Sequence, residues 1–252
     1  MEMLTSPANP RLKRVRALLQ QSKRRREEHA FVLEGVRLIG DALEAAALPE
    51  FVLYRPNTQA QELLQRLQAQ QVLCLPVEPK LFDDLADTQT SQGLLAVCPW
   101  PELAVPETPD LTLILDGIAD PGNVGTIFRA AVAAGVDLVV VWHSADPYNP
   151  KVVRAGMGAH FRVPIRVWSW EEIRQLKATF WAADMAGERT IYQVQWKLPL
   201  VLVIGGEAHG LSAQAKETVS QTIRIPMVSG QSLNAAIAAS VILYEIYRQR
   251  LA

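Results

Sequence analysis

The chain has 252 residues, with 25 Lys and Arg against 26 Asp and Glu, a formal net charge of −1. Apolar residues make up 49% and charged residues 20%, so it reads as an ordinary globular chain, long enough to bury one large core or two modest ones without covalent staples. Its longest apolar runs, Leu111–Leu115 and Leu198–Ile204, are strand-sized, which excludes a transmembrane helix. Cys74 and Cys98 are too few for a disulfide framework and lack C-x-x-C spacing, so no metal site is expected. The opening MEMLTSPANPRLKRVR has no signal-peptide core, and the expected location is cytoplasmic.

The near-zero charge conceals an asymmetry. Residues 1–37 hold nine basic residues (Arg11, Lys13, Arg14, Arg16, Lys23, Arg24, Arg25, Arg26, Arg37) and four acids, which leaves 16 basic and 22 acidic residues, a net of −6, in the remainder. A basic arm on an acidic body suits a polyanion. The blander alternative is a solvated helix in which Glu27 and Glu28 pair with the run Lys23-Arg24-Arg25-Arg26.

In chain order, Leu12, Val15, Leu18 and Leu19 at helical spacing predict one helix from Arg11 to about Arg26. Phe31-Val32-Leu33 reads as a strand, and Val36, Ile39 and Leu43 place a helix over 36–47. A strand at Phe51–Tyr54, a helix at Gln59–Gln70, strands at Val72–Leu75 and Gly93–Val97 and a short helix around Lys80–Ala86 complete a small α/β domain over residues 1–98. Residues 99–109 contain four prolines (Pro99, Pro101, Pro106, Pro109), which can continue neither a helix nor a central strand, so this stretch is the predicted linker.

Residues 110–252 alternate more strongly apolar strands (Leu111–Asp116, Leu138–Trp142, Pro164–Val167, Phe180–Ala183, Leu200–Ile204, Thr222–Ile225) with helices at Val124–Ala134, Val152–Ala155, Trp170–Lys177, Ser212–Ser220 and about Leu233–Arg250. That pattern predicts a mainly parallel sheet covered on both faces, with ligands beyond the carboxyl ends of the strands. Three such ends stand out. After Asp116 a Gly/Pro turn leads to Asn123, placed as a helix N-cap, with Arg129 six residues on, a combination suited to an anionic backbone. After Ile204 comes Gly205-Gly206-Glu207-Ala208-His209-Gly210, whose glycines let the backbone approach a ligand but whose spacing is not that of a dinucleotide site. After Ile223 comes Ile225-Pro226-Met227, then Ser232-Leu233-Asn234 opening an alanine-rich helix that Ser232 or Asn234 caps.

In this order the stretches N-x-G-x-x-x-R-x-A (123–131), G-G-E-A-H-G-L-S (205–212) and I-P-M-x-x-x-x-S-L-N (225–234) resemble the three motifs of the SpoU (TrmH-type) family of RNA ribose 2′-O-methyltransferases. Arg154–Pro164 is similar to the same family, with Gly156 where a serine is common, and the entry patterns Ser6–Arg11 and Phe31–Arg37 resemble the substrate-binding domain of its ribosomal-RNA members. The resemblance implies a deep trefoil α/β knot in the C-terminal domain and a homodimer with its site completed across the interface. It implies S-adenosylmethionine held by Gly205, Glu207, Gly210, Ile225, Met227, Ser232 and Leu233, and methyl transfer without a metal, centred on Arg129 with Asn123, Glu207, Ser232 and Asn234 around it. It also implies phosphate contacts from Arg11, Lys13, Arg14, Lys23, Arg24, Arg25, Arg26 and Arg37, and a large-subunit ribosomal RNA as substrate. Transfer RNA as the substrate, a non-catalytic RNA-binding role and a dinucleotide-dependent enzyme built on the 205–210 loop stay open at this point.

Overall fold

The structure is a computed structural model that describes residues 3–86, 91–228 and 232–251. Its elements follow in order as α1 (Pro10–Gln20), α2 (Ser22–Glu28), β1 (Ala30–Glu34), α3 (Val36–Glu44), β2 (Phe51–Tyr54), α4 (Gln61–Ala69), β3 (Leu73–Pro76), α5 (Pro79–Asp83) and β4 (Leu94–Pro99). Then come β5 (Leu111–Asp116), α6 (Pro121–Ala133), β6 (Leu138–Trp142), α7 (Pro150–Gly156), β7 (Ile165–Val167), α8 (Trp170–Ile173), β8 (Thr179–Ala183), β9 (Arg189–Thr190), β10 (Leu200–Gly205), α9 (Ala213–Thr218), β11 (Gln221–Arg224) and α10 (Ala235–Arg250). Packing divides the chain into one unit of residues 1–101 with 148–161 and another of 102–147 with 162–252. The division near residue 101 falls inside the proline-rich stretch. Tyr148–Phe161, which the sequence reading counts with the second domain, packs in the first unit.

In the first unit four strands lie in the order β1-β4-β2-β3, with β4 antiparallel to both neighbours and β2 parallel to β3. Alternation along the strands sends Phe31, Leu33, Val52, Ala96 and Cys98 to one face, against α3, α4 and the inserted Tyr148, Val153 and Phe161. Val32, Leu53, Leu95 and Val97 turn to the other face, against Leu12, Val15, Leu18 and Phe82. Trp100 stacks on Tyr148 with ring centroids 4.3 Å apart, which secures the insert within this unit.

The single helix expected over 11–26 is two helices. Gln21 is extended (φ −121°, ψ 110°), and the Arg25 guanidinium turns back to donate to the Leu18 and Leu19 carbonyls at the end of α1, at 2.5 and 3.2 Å. Those carbonyls have no further turn of helix to bond, so the arginine takes that place.

The second unit is a seven-stranded sheet in the order β7-β6-β5-β10-β8-β11-β9, parallel throughout. Its central strands are buried end to end, as a sheet covered on both faces requires. The chain runs outward from β5 through β6 to β7, then returns, and β10 lodges between β5 and β8. The β5/β10 boundary is therefore a point where strand order reverses, the place where open parallel sheets bind ligands. Helix α10 packs against α6.

Candidate active site

The sheet register builds the floor of the site. Asp116, the last residue of β5, lies opposite Gly205 on β10 and opposite Trp142 on β6, so three strand ends finish in one row. Asp116 is 1% exposed. Its Oδ2 accepts from the Ser212 backbone N–H at 2.7 Å, and its carbonyl accepts from Gly206 N–H at 2.9 Å. Burial pushes its carboxyl above the usual range, and the Ser212 hydrogen bonds oppose that shift.

The loop after β10 folds onto itself as a small bridge between Gly206 and Gly210. A Cβ on Gly205 would stand 2.6 Å from the Gly210 carbonyl carbon, and one on Gly206 would stand 2.2 Å from the Gly117 oxygen. These two positions admit no side chain, because the opposing atoms are backbone.

Asn123 is not the cap of its helix. Pro121 occupies the first helical position and Asp120 is the N-cap, its Oδ1 accepting from Asn123 N–H at 2.8 Å. The Asn123 side chain is thereby released for a longer-range role: its Nδ2 donates to Glu207 Oε1, and its Oδ1 accepts from Asn234 Nδ2 at 3.0 Å. Asn234, rather than Ser232, caps α10, accepting from Ala236 and Ile237 N–H at 2.9 and 3.3 Å. One hydrogen-bonded chain thus joins all three sequence motifs.

Beside it lies a cavity of about 480 Å³, within the range of about 300–1,000 Å³ typical of small-molecule sites. Gly205, Glu207, Gly210, Ile225, Met227, Ser232 and Leu233 all line it, with Asn234 at its edge. The sequence reading omits Ala183, Asp184 and Met185, which also line it. They stand at the carboxyl end of β8, and the strand-end rule points to them. Narrow glycine walls, apolar side chains from Ile225, Met227 and Leu233 and the carboxylates of Asp184 and Glu207 suit a flat heterocycle carrying a cationic group, the guanidinium of Arg224 on the lining being turned to the Gly187 and Glu188 carbonyls. Among the described residues no group of three or more His, Cys, Asp or Glu is placed to hold a metal, and no helix is long and apolar enough to cross a membrane.

Arg129 does not join this constellation. It is exposed on α6, lines neither the 480 Å³ cavity nor the cavity beside Asp116, and its guanidinium forms no hydrogen bond or ion pair among the described residues. Six residues along a helix turn it about 120° away from Asn123.

The eight basic residues expected to meet RNA divide in the first unit. Arg25 is 2% exposed, spent on the end of α1, and is withdrawn from the surface set. Arg14 donates to Glu28 and Glu50, which hold its charge firmly, Arg24 pairs with Glu28 at 2.5 Å, and Lys23 lies 3.8 Å from Glu27. Arg11, Lys13, Arg26 and Arg37 are exposed, as are the paired Lys23 and Arg24. The blander reading of local pairing therefore holds for part of the arm.

With this geometry in place, the class is that of RNA methyltransferases. Residues 110–244 match the SpoU rRNA Methylase family, and the chain belongs to it. Residues 9–96 match the MRM3-like substrate binding domain. The mouse (Mus musculus) mitochondrial rRNA methyltransferase 3 is 32% identical over 96% of this chain and 73% of its own length. A 23S rRNA (uridine(2479)-2′-O)-methyltransferase of Streptomyces viridochromogenes is 32% identical over 96% of this chain and 91% of its own. An AdoMet-bound rRNA methyltransferase of Sinorhizobium meliloti superposes with a TM-score of 0.86 at 30% identity, over 100% of this chain and 99% of that one.

Proposed function

We propose that the protein transfers a methyl group from S-adenosylmethionine to a ribose 2′-hydroxyl of large-subunit ribosomal RNA. The observation that carries this reading is the 480 Å³ cavity, whose walls contain all seven residues named for the donor and whose Glu207 and Asn234 are tied together through Asn123. Family membership and the 23S rRNA activity of the Streptomyces relative support the same substrate.

S-adenosylmethionine, when bound, supplies an electrophilic methyl on a sulfonium, so that a carbon–oxygen bond forms as the carbon–sulfur bond breaks. The chain's own residues orient the hydroxyl, whose proton leaves to water or to a neighbouring phosphate oxygen of the RNA as the carbon–oxygen bond forms. Glu207, fixed by Asn123, and Ser232 are assigned to the ribose, which their place on the cavity lining supports. Arg129 acts as a positioning and charge-stabilising group for the ribose oxygen and its phosphate, because a guanidinium stays protonated and is a poor base.

The protein works as a homodimer in which Arg129 of one copy serves the donor cavity of the other. Support comes from the outward direction of Arg129 and from the surface that α6 and α10 present beside it, where Ile237 and Tyr244 are exposed. Isolated large-subunit ribosomal RNA incubated with methyl-labelled donor and digested by nuclease tests the reaction. Label on the ribose of one nucleotide is expected, and an absence of label together with an absence of donor binding overturns the reading.

A further inference from the structure

Glu207 is a wall between two cavities. The second, of about 600 Å³, lies on its other side and is lined by Asp116, Gly117, Ala119, Asp120, Asn123, Trp142, Gly206, Glu207, Ala208, His209, Gly210 and Ser212. Five of these residues carry no more than a methyl group, so much of the wall is backbone, and of its two rings, Trp142 and His209, the broader is Trp142. That ring is backed by His143 at 4.1 Å and Trp170 at 6.2 Å, which hold it in place. Asp120 and Glu207 add carboxylates, and no lysine or arginine lines the space. A phosphate is poorly suited to such walls, whereas a planar ring bearing N–H groups is well matched.

Asp116 supplies the second observation. Its Oδ2 is satisfied by Ser212, but Oδ1 is buried without a hydrogen-bond partner among the described residues. A buried acceptor left open costs about 1–3 kcal/mol, a cost that persists where a ligand completes it.

We propose that this second cavity receives the base of the nucleotide being methylated, with Trp142 as its stacking surface and Asp116 as the acceptor for a base N–H. The inference rests on the methyl-transfer reading above and deepens it: the nucleotide straddles Glu207, its ribose toward the donor cavity and its base in the slot. Asp116 and Trp142 are thereby specificity-determining residues for a site that reads an unstacked base.

The test pairs a binding readout with a chemical one. The chain has six tryptophans. Protein carrying 5-fluorotryptophan, with the Trp142 fluorine signal assigned by Trp142→Phe, is titrated with the four ribonucleosides and with ribose 5-phosphate. At least one nucleoside is expected to move the Trp142 signal, ribose 5-phosphate is not, and Ala208→Phe, which fills the slot from an exposed loop, abolishes the shift. A Trp142 signal that no nucleoside moves overturns the proposal.

In transfer assays Asp116→Asn and Trp142→Ala should lower kcat/KM for RNA about tenfold to 100-fold. Donor affinity by calorimetry should stay within about threefold for Trp142→Ala, which does not line the donor cavity, whereas Asp116→Asn also touches the Ser212 end of the donor loop and is read against it. The loss should vanish on RNA with an abasic ribose at the target position, and a loss that persists there overturns the assignment to the target base. If Asp116→Asn does not fold, Trp142→Ala and Ala208→Phe carry the same comparison. Nucleoside binding at Trp142 in a protein that methylates no ribosomal RNA would support the slot and overturn the reaction instead.

Discussion

Asn234 Nδ2 donates to Asn123 Oδ1 at 3.0 Å across 111 residues of chain. The same Asn234 oxygen caps α10, and the same Asn123 amide donates to Glu207. One amide therefore starts a helix and tethers two loops.

These two duties of Asn234 separate by substitution. Asn234→Ala removes both the cap and the tether, and should lower stability by about 1 kcal/mol while abolishing most transfer. Asn234→Asp keeps an acceptor for the Ala236 and Ile237 N–H groups but loses the donor to Asn123. Denaturant midpoints near the parent value for Asn234→Asp, with transfer still reduced, are the expected outcome.

Gly206→Ala should be among the most damaging methyl-sized changes in the chain. Its Cβ would stand 2.2 Å from the Gly117 oxygen, and both partners are backbone at strand ends. The added carbon must push β5 and β10 apart, at a cost of several kcal/mol, more than the roughly 1–3 kcal/mol of ordinary overpacking. Calorimetry should find donor affinity weakened at least about tenfold, which corresponds to 1.4 kcal/mol of that cost. Gly40, which has no neighbour within 4 Å of its would-be Cβ, is the control and should accept alanine.

Arg129→Ala is expected to bind donor normally and to lose transfer. A shared site makes a sharper statement possible. Arg129→Ala and Glu207→Ala, each inactive alone, should regain about a quarter of parent activity when co-refolded, since half of the dimers are mixed and each holds one intact site. Continued inactivity of verified mixed dimers would mean that Arg129 serves its own chain.

Arg25 and Arg26 are neighbours in sequence with opposite expectations. Arg25→Ala leaves the Leu18 and Leu19 carbonyls at the end of α1 without their buried donor and should cost about 2–4 kcal/mol of stability. Arg26→Ala, on an exposed residue, should leave stability within about 0.5 kcal/mol. Its effect should instead be weaker RNA binding with a shallower dependence on salt, by about one unit in the log–log slope.

Cys74 and Cys98 are 1% and 0% exposed, and burial raises both thiols, that of Cys74 from 9.0 to about 11. A raised thiol keeps its proton in the folded chain after the unfolded chain has lost it. Its contribution is thus fully present below pH 9 and is lost as pH rises toward 11. Urea midpoints should fall more steeply over that window for the parent than for Cys74→Ala, and thiol reagents at pH 8 should label neither cysteine until the chain is unfolded.

Much of this was legible without coordinates. The apolar period of Leu111–Asp116 and Leu200–Gly205 marks buried parallel strands, and glycine runs at their ends mark where a ligand approaches. That Gly205, Glu207, Gly210, Ile225, Met227, Ser232 and Leu233 line one cavity was accessible because each lies inside a local motif whose spacing is written along the chain. Arg25 was not legible, since four basic residues in a row look alike until a helix break turns one inward. Asp184 was missed because its strand carries no unusual residues, only an end that happens to meet the same crevice.

By itself the amino-acid sequence determined most of the strands and helices (though not the break at Gln21 or the short β9), the proline-rich boundary and the loops that line the cavity, because those depend on periodicity and on turn chemistry over a few residues. Only the tertiary structure decided that Asp120 and not Asn123 caps α6, that Tyr148–Phe161 packs with the first unit, and that Trp142, Asp116 and Gly205 end in one row. The reason is physical. Which side chain is free to act depends on which hydrogen bonds its neighbours have already taken, and across a parallel sheet those neighbours come from strands about 30 to 90 residues away.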